Sequence, residues 1–214
     1  MSFDTLAPFY RSMEFVSAGG LLQRCRTSFL DEVADCQRAL LLGEGPGRFL
    51  VELLRKHPQV EVTCVESSAR MIQEASRMVK RIGLSDKRVR FVQSDALTWV
   101  APEGAFDLVV THFFLDCFRR DELEMLVPKV AASSTAEARW LLADFREPNR
   151  GWQKWRARGM LALLYLFFRF ATGLSATRLT PPDNLLRAAG FRLAGRRIGN
   201  FGLVHSDLWQ QGIT

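Results

Sequence analysis

Three glycines spaced two residues apart are the most informative feature of the chain. They stand in the segment RALLLGEGPGRF (38–49), where an apolar run ends at Gly43 and a helical pattern follows Gly47. Glycine lets the chain turn tightly and lets a ligand touch the main chain, and the N-terminus of the following helix offers free N–H groups. In an open α/β sheet, ligands bind beyond the carboxyl ends of the strands. The segment therefore predicts a ligand-binding loop after the first strand.

Two candidates for proton transfer follow the fourth predicted strand, in the segment THFFLDCF. His112 is a candidate base, and Asp116 would orient it if the turn between them is helical. The alternative is that His112 only lines a pocket and that Asp116 caps the next helix. We expect His205 to be structural and His57 to face solvent. Polar residues after the fifth strand either contact a polar ligand or form a salt-bridged turn: Asp144, Arg146 and Glu147.

The elements that position these residues follow from the alternation of apolar runs and amphipathic segments. Strands are predicted over 39–43, 60–66, 88–96, 106–114 and 139–145, with helices over 47–58, 68–83 and 120–132. A short helix over 181–190 then precedes a hairpin formed by 191–199 and 201–210, with its turn at Gly199-Asn200. Strands that alternate with helices in this way predict an α/β fold with a doubly wound, mostly parallel sheet of seven strands.

The composition is that of a globular protein. The chain has 214 residues, 48% hydrophobic residues and a formal charge of +6. This excess of positive charge suits an anionic substrate, a nucleic acid or a membrane surface. The four cysteines lie far apart without metal-ligand spacing, so we expect a reducing, cytoplasmic location and no metal site. No secretory signal is recognisable, and no apolar run reaches the about 20 residues that a membrane span requires.

The glycine spacing separates two kinds of binding loop. A dinucleotide loop has the pattern G-x-G-x-x-G, but Arg48 occupies the place of its third glycine. The observed GEGPG instead resembles the glycine loop of the class I methyltransferases that use S-adenosylmethionine. Glu66, at the end of the second strand, matches the acidic residue that holds the ribose hydroxyls in that family, and a carboxylate suits two hydroxyl donors. Asp95-Ala96, which closes the third strand, resembles the family's adenine-contacting pair.

Two further segments extend the resemblance. Asp107–His112 resembles the strand beside the methyl donor, and FDTLAPFY (3–10) resembles the N-terminal helix of small-molecule members related to the quinone-biosynthesis methyltransferases. In those members the tyrosine closes over the cofactor. The resemblance thus implies a Rossmann-like methyltransferase fold with S-adenosylmethionine as cofactor. It implies cofactor contacts from Tyr10, Gly43, Glu44, Gly45, Gly47, Glu66, Ser67, Met71, Asp95, Ala96, Thr111 and His112.

One position departs from the family pattern. An acidic residue usually stands two positions before the first glycine, where it helps to orient the methionine amine, but this chain has Leu41 there. Glu44, inside the loop, either takes over part of that role or is a solvent-facing carboxylate. Which residues contact the methionine part of the cofactor is therefore left open, while the predicted fold is unaffected.

The predicted organisation is one domain over residues 1–214, with an N-terminal helical cap over about 1–35 and a helical lid over about 147–190. The segment 151–174 is rich in large apolar residues. Three interpretations of this segment are open. It packs as core against the sheet, it forms a hydrophobic lid, or it is a helix that touches a membrane surface. The lid interpretation predicts a small, partly apolar or aromatic acceptor. Positioning such an acceptor against the methyl group supplies much of the rate, so no catalytic residue need be evident.

Two other functions remain open on sequence alone. Methylation of RNA or protein is compatible with the positive charge, but no Asn-Pro-Pro-aromatic signature follows the fourth strand, and no aromatic-basic stripe suggests base stacking. We therefore expect no nucleic-acid partner. A non-catalytic protein that binds S-adenosylmethionine is the third interpretation, kept open by Leu41.

Overall fold

Seven strands form one sheet in the part of the chain that the structure describes. The structure is a computed structural model, and it describes residues 19–83, 86–148 and 179–212, with residues 151, 152, 155 and 159. The strands are β1 (Arg38–Leu42), β2 (Glu61–Glu66), β3 (Val89–Gln93), β4 (Phe106–His112), β5 (Ser134–Phe145), β6 (Phe191–Gly199) and β7 (Val204–Gln211).

The order of the strands places a crevice at one edge of the sheet. The order is β3-β2-β1-β4-β5-β7-β6, with β1 to β5 parallel and β7 antiparallel to both of its neighbours. The chain therefore runs outward from β1 to β3 and then crosses back to β4 on the other side of β1. Such a reversal opens a crevice at the carboxyl ends of β1 and β4. This topology confirms the predicted α/β fold with its antiparallel C-terminal hairpin.

The described helices cover both faces of the sheet. They are α1 (Gly19–Arg26), α2 (Arg48–Lys56), α3 (Ala69–Arg81), α4 (Arg120–Ala132) and α5 (Asp183–Ala188). Buried residues of α2 and α3 pack on one face of the central strands, and those of α4 and α5 pack on the other. Because β1 and β4 lie between these two layers, their side chains are apolar on both faces and form the centre of the core.

Several local expectations differ from the structure, and strand β3 ends at Gln93 rather than at residue 96. Strand β5 begins at Ser134 rather than at residue 139. The hairpin turn is longer than Gly199-Asn200, because a 3₁₀ helix over Asn200–Gly202 precedes β7. The expectation for His57 is wrong, since its side chain is buried and its Nε2 lies 2.7 Å from the Leu30 carbonyl oxygen. A carbonyl group satisfies the imidazole there, which removes the penalty of burying it.

The predicted cap and lid lie mostly outside the described residues. Tyr10 belongs to that part of the chain, as do most residues of the segment 151–174. Trp152 and Trp155, which are described, are exposed. Among the helices that the structure describes, none has the length and apolar character needed to cross a membrane.

Candidate functional site

The glycine loop presents bare backbone at one position and packs tightly at the other two. All three glycines have positive φ. A Cβ atom on Gly43 would lie 2.2 Å from the ring of Phe114, and one on Gly47 would lie 2.9 Å from the Ala75 Cα. A Cβ atom on Gly45 would meet nothing within 4 Å. Gly43 and Gly47 are therefore required by packing, whereas Gly45 leaves an open main chain that a ligand can approach.

Glu66 holds a carboxylate at the edge of this loop. It ends β2 and is only 7% exposed. Its Oε2 accepts a hydrogen bond from the Gly45 N–H at 3.1 Å, and its Oε1 accepts one from the Ser68 N–H at 3.0 Å. Burial raises the pKa of Glu66, and these backbone donors partly offset the rise. The structure thus brings together the glycine loop and the predicted ribose-binding residue.

Two further predicted contacts flank Glu66. Ser67 is exposed, and its Oγ lies 3.4 Å from Glu66 Oε1. Met71 is buried in the first turn of α3, where its N–H donates to the Ser68 Oγ at 3.2 Å. Ser68 fixes the start of α3 by capping it. Both predicted residues therefore lie beside the carboxylate at the end of β2.

The Asp95-Ala96 turn lies beyond β3 and is clamped from α4. Asp95 is exposed, and its Oδ1 accepts a hydrogen bond from the Leu97 N–H at 2.9 Å. The Lys129 ammonium donates to the Ala96 and Leu97 carbonyl oxygens at 2.6 and 2.7 Å. Burial lowers the pKa of Lys129, although Asp95 counteracts this. The turn is thereby held at the same edge of the sheet as Glu66. The Ser94 N–H, just after β3, donates to the Glu66 carbonyl oxygen.

Glu44 turns inward and closes the N-terminus of α2. Its Oε1 accepts hydrogen bonds from the Phe49 and Leu50 N–H groups at 2.8 and 3.0 Å. Burial raises its pKa to about 7, and the backbone donors together with Arg26 limit the rise. The Glu44 Oε1 is therefore committed to the start of α2, although the residue as a whole is half-buried. The side chain of Leu41 is fully buried in the core.

His112 ends β4 and packs against α2. Its ring packs edge-on against Phe49 with centroids 4.5 Å apart, and its Nδ1 has no hydrogen-bond partner among the described residues. Burial lowers the pKa of His112 well below its usual value, and the nearby Arg26 lowers it further. Among the described residues no hydrogen bond joins His112 to Asp116, so this geometry does not support the orientation of one by the other. Asp116 also does not cap the next helix, because that position belongs to Arg119.

The Thr111 side chain is not brought to the crevice. It is fully buried, and its Oγ1 accepts a hydrogen bond from Trp140 Nε1 at 2.8 Å. Strand alternation explains this orientation, because neighbours on β4 point to opposite faces of the sheet. Of the predicted cofactor contacts, Thr111 therefore has its side chain committed to the core.

Two charged features near the crevice were missed from the sequence. Arg26 ends α1 and is buried, with its guanidinium 5.1 Å from the centre of the Phe113 ring. Its charge reaches both Glu44 and His112. The second feature is the burial of the Asp116 and Asp144 carboxyl groups, which raises the pKa of both. The only sequence signal for these two residues was that each follows a strand that ends at the crevice.

Comparisons with known proteins agree with this geometry. Residues 39–135 match a methyltransferase domain. The chain is 32% identical over 115 residues to a demethylmenaquinone methyltransferase of Roseiflexus sp. (strain RS-1), which covers 53% of this chain and 46% of that protein. The chain thus spans about half the length of this curated relative.

Solved structures share the fold at low identity. The mitomycin 7-O-methyltransferase MmcR superposes with a TM-score of 0.73 at 18% identity, covering 99% of this chain and 61% of that one. A 1,6-didemethyltoxoflavin-N1-methyltransferase of Burkholderia thailandensis, solved with S-adenosylhomocysteine, has a TM-score of 0.64 at 18% identity, covering 97% and 87%. The ordered strands and the glycine loop thus lie in a segment that matches a methyltransferase domain, and the chain shares the fold of these solved methyltransferases.

Proposed function

We propose that the chain transfers a methyl group from S-adenosylmethionine to a small, partly apolar acceptor. The observation that carries this proposal is the hydrogen bond between the Glu66 carboxylate and the Gly45 N–H at 3.1 Å. It places a carboxylate directly beside the glycine of the loop whose Cβ position is open. A carboxylate next to bare main chain fits a nucleoside whose sugar hydroxyls donate and whose tail runs over the loop.

Each part of the crevice has a defined task in this proposal. Glu66 accepts the ribose hydroxyls, the Asp95-Ala96 turn borders the base, and Gly45 lets the tail pass. The bound cofactor supplies an activated methyl group on a sulfonium. The chain then needs to hold an acceptor in line with that methyl and to exclude water, because orientation alone removes much of the barrier.

The acceptor side lies beyond β4 and β5. Phe113, Phe114 and Phe118 surround the turn after β4, and Phe145 ends β5. These rings provide apolar walls next to the crevice, and they support an apolar or aromatic acceptor. The proposed lid over about 147–190 and cap over about 1–35, within one domain, would enclose it. A cytoplasmic location and the absence of a nucleic-acid partner are parts of the same proposal.

The test is binding of S-adenosylhomocysteine by calorimetry to the wild type and to Glu66→Gln. The substitution keeps the shape of the side chain but removes its charge. A charge-assisted hydrogen bond is worth about 1.5–3 kcal/mol, so we expect about 10-fold weaker binding or more. Glu61→Gln is the matched control, because Glu61 lies exposed at the opposite end of the same strand. Equal affinity of the wild type and Glu66→Gln would contradict the proposed site.

A further inference from the structure

The Lys129 side chain reaches from the last turn of α4 across to the turn after β3. Its ammonium donates to the Ala96 carbonyl oxygen at 2.6 Å and to the Leu97 carbonyl oxygen at 2.7 Å. Both distances are short for N–H···O bonds, as expected of a charged donor. A lysine in the last turn of a helix often interacts with the carbonyl groups of its own helix. This one is instead committed to residues that lie 33 and 32 positions earlier in the chain.

The two carbonyl groups belong to consecutive peptide units that Asp95 holds from their other side. The Leu97 N–H, in the same peptide unit as the Ala96 carbonyl, donates to Asp95 Oδ1 at 2.9 Å. The Thr98 N–H, in the same unit as the Leu97 carbonyl, donates to the Asp95 carbonyl oxygen at 3.1 Å. Because a trans peptide unit is planar and its C=O and N–H point in opposite directions, fixing the oxygen also fixes the direction of the N–H. Lys129 therefore helps to orient the Asp95 carboxylate, through the N–H group that this carboxylate accepts.

The core of the protein fixes the position of the Lys129 ammonium. Leu126, Val127 and Val130 of the same helix are buried, and they belong to the same apolar cluster as Ala96. Lys129 is half-buried at the border of this cluster. In such a place the stem of a lysine lies along apolar surface and its charged end emerges at the edge. The ammonium thus meets the turn from a helix that packing holds in place.

The turn that Lys129 holds is also joined to the end of β2. The Ser94 N–H donates to the Glu66 carbonyl oxygen at 3.2 Å, and Ser94 directly precedes Asp95. A continuous series of hydrogen bonds therefore runs from α4 through the turn to the strand that ends at Glu66. Asp95 is exposed, so its carboxylate stays accessible to a ligand at this edge of the sheet. Lys129 thus supports the very residues that the proposed function sets beside the base.

We propose that Lys129 is a positioning residue for the nucleobase of the cofactor, and that it acts on the choice of base through the turn that it holds. The inference rests on the proposed function, in which the Asp95-Ala96 turn borders the base. An ionised carboxylate can only accept hydrogen bonds. Held in a fixed direction, the Asp95 carboxylate favours a base with an amino group at its edge and disfavours one with a carbonyl oxygen there. Lys129 contributes to this choice without touching the ligand.

The first test measures the choice of base with two matched ligands. S-adenosylhomocysteine carries an amino group on its base, and S-inosylhomocysteine carries an oxygen in the same place. We expect the wild type to bind the first at least about 10-fold more tightly in calorimetry, since one charged hydrogen bond provides a difference of this size. Lys129→Met keeps the length of the side chain but removes its donors. In this variant the preference should fall to about 3-fold or less, because the Asp95 carboxylate is no longer held in direction.

Two further variants serve as controls for the loss of the ammonium. Lys129→Arg retains charged donors that can reach two carbonyl oxygens, so it should keep most of the preference for S-adenosylhomocysteine. Arg120→Met removes a positive charge from the exposed start of the same helix, where Arg120 pairs with Glu124. It should leave the preference and both affinities unchanged.

Urea denaturation of the free proteins identifies a purely structural role. Loss of the link between α4 and the turn lowers the unfolding free energy of Lys129→Met whichever role the lysine has. A general loosening of the fold would weaken both ligands by the same factor and leave their ratio as in the wild type. The ratio of the two affinities therefore decides between the roles. Lys129→Gln, which keeps one weaker donor group, supplies the same measurement if the methionine variant does not fold.

The outcomes separate this proposal from the proposed function. Failure of the wild type to bind S-adenosylhomocysteine would defeat the function itself. Equal binding of the two ligands by the wild type would overturn the selection of the base by the turn. An unchanged preference in Lys129→Met, or a weakening of both ligands by the same factor, would overturn the role of Lys129 as a positioning residue.

Discussion

The ring of Phe114 lies against Gly43 so closely that a Cβ atom on residue 43 would be 2.2 Å from the phenylalanine Cδ2. This contact joins the glycine loop after β1 to the turn after β4. Gly45, two residues on, has nothing within 4 Å of its Cβ position. Gly43, like Gly47, is therefore required by the fold, whereas Gly45 is left open for a ligand.

Alanine substitutions should separate these two roles. Gly43→Ala combines a left-handed alanine with overpacking and should lower the free energy of unfolding by roughly 2–4 kcal/mol. Gly45→Ala meets no neighbour and should cost only about 1 kcal/mol, yet weaken S-adenosylhomocysteine binding at least about 10-fold, because the methyl group would occupy the path of the ligand. Urea unfolding and calorimetry measure both quantities.

A double variant supplies the control. Phe114→Ala in the Gly43→Ala background removes the clash and should recover the overpacking part of the loss. Wild-type affinity in Gly45→Ala would show that the open position is not where the ligand passes.

Glu44 should make the stability depend on pH. Its pKa is raised to about 7 by burial, so the folded state holds the proton more tightly than the unfolded chain does. Such a group stabilises the fold at low pH, and the contribution is lost as the pH rises through about 7. In Glu44→Gln the amide oxygen still accepts from the Phe49 and Leu50 N–H groups, but nothing titrates. We expect the decrease in unfolding free energy between about pH 5 and about pH 8 to shrink by on the order of 1–2 kcal/mol.

Glu52→Gln is the matched control for this change, because Glu52 is exposed on the same helix and pairs only with Arg55 at the surface. It should leave the pH dependence as it is in the wild type. A Glu44→Gln protein with an unchanged slope would indicate that the Glu44 carboxyl is ionised throughout.

His112 should remain neutral where an ordinary histidine becomes charged. Burial, and then Arg26, lower its pKa well below 6.5. The unfolded chain binds a proton there as the pH falls through about 6.5, so His112 contributes stability above that pH and loses it on acidification. Ring NMR signals, assigned with His112→Asn, should not titrate near pH 6.5 in the folded protein and should do so in urea. Titration of the folded signal near pH 6.5 would restore His112 as a candidate base.

The fold class was predictable because each strand is an apolar run and each helix has an amphipathic period. The glycine loop and Glu66 were predictable for a related reason, since both follow directly from the end of a strand. The structure places the glycine loop and Glu66 at the ends of their strands, as the sequence predicted.

The turn after β4 was not predictable in the same way. Its course depends on a left-handed Phe113 and on a hydrogen bond from the Phe113 N–H to the Ala143 carbonyl on β5. No sequence pattern predicts an aromatic residue in a left-handed conformation. The burial of His57 likewise depends on the Leu30 carbonyl, 27 residues earlier in the chain.

The Arg196–Asp207 pair should contribute far more to stability than the neighbouring arginine. Asp207 is 1% exposed, and burial alone would raise its pKa. The hydrogen bonds from Arg196 and His205 outweigh that effect and hold the pKa below its usual value. In Arg196→Met the Asp207 carboxylate keeps, among the described residues, only its hydrogen bonds with His205 and Trp209. We expect a loss of about 2–3 kcal/mol in unfolding free energy, measured by urea denaturation, because removing one partner of a buried pair strands the other.

Arg197→Met is the control for that prediction. Arg197 is mostly exposed, pairs with Glu32 and covers the ring of Phe29 at 4.5 Å, so its loss should cost about 1 kcal/mol or less. A carboxyl with a depressed pKa stabilises the fold above pH 3.8, and this contribution is lost as the pH falls. The wild type should therefore lose stability on acidification more steeply than Arg196→Met. Equal acid sensitivity of the two proteins would mean that Asp207 does not depend on Arg196 for its charge.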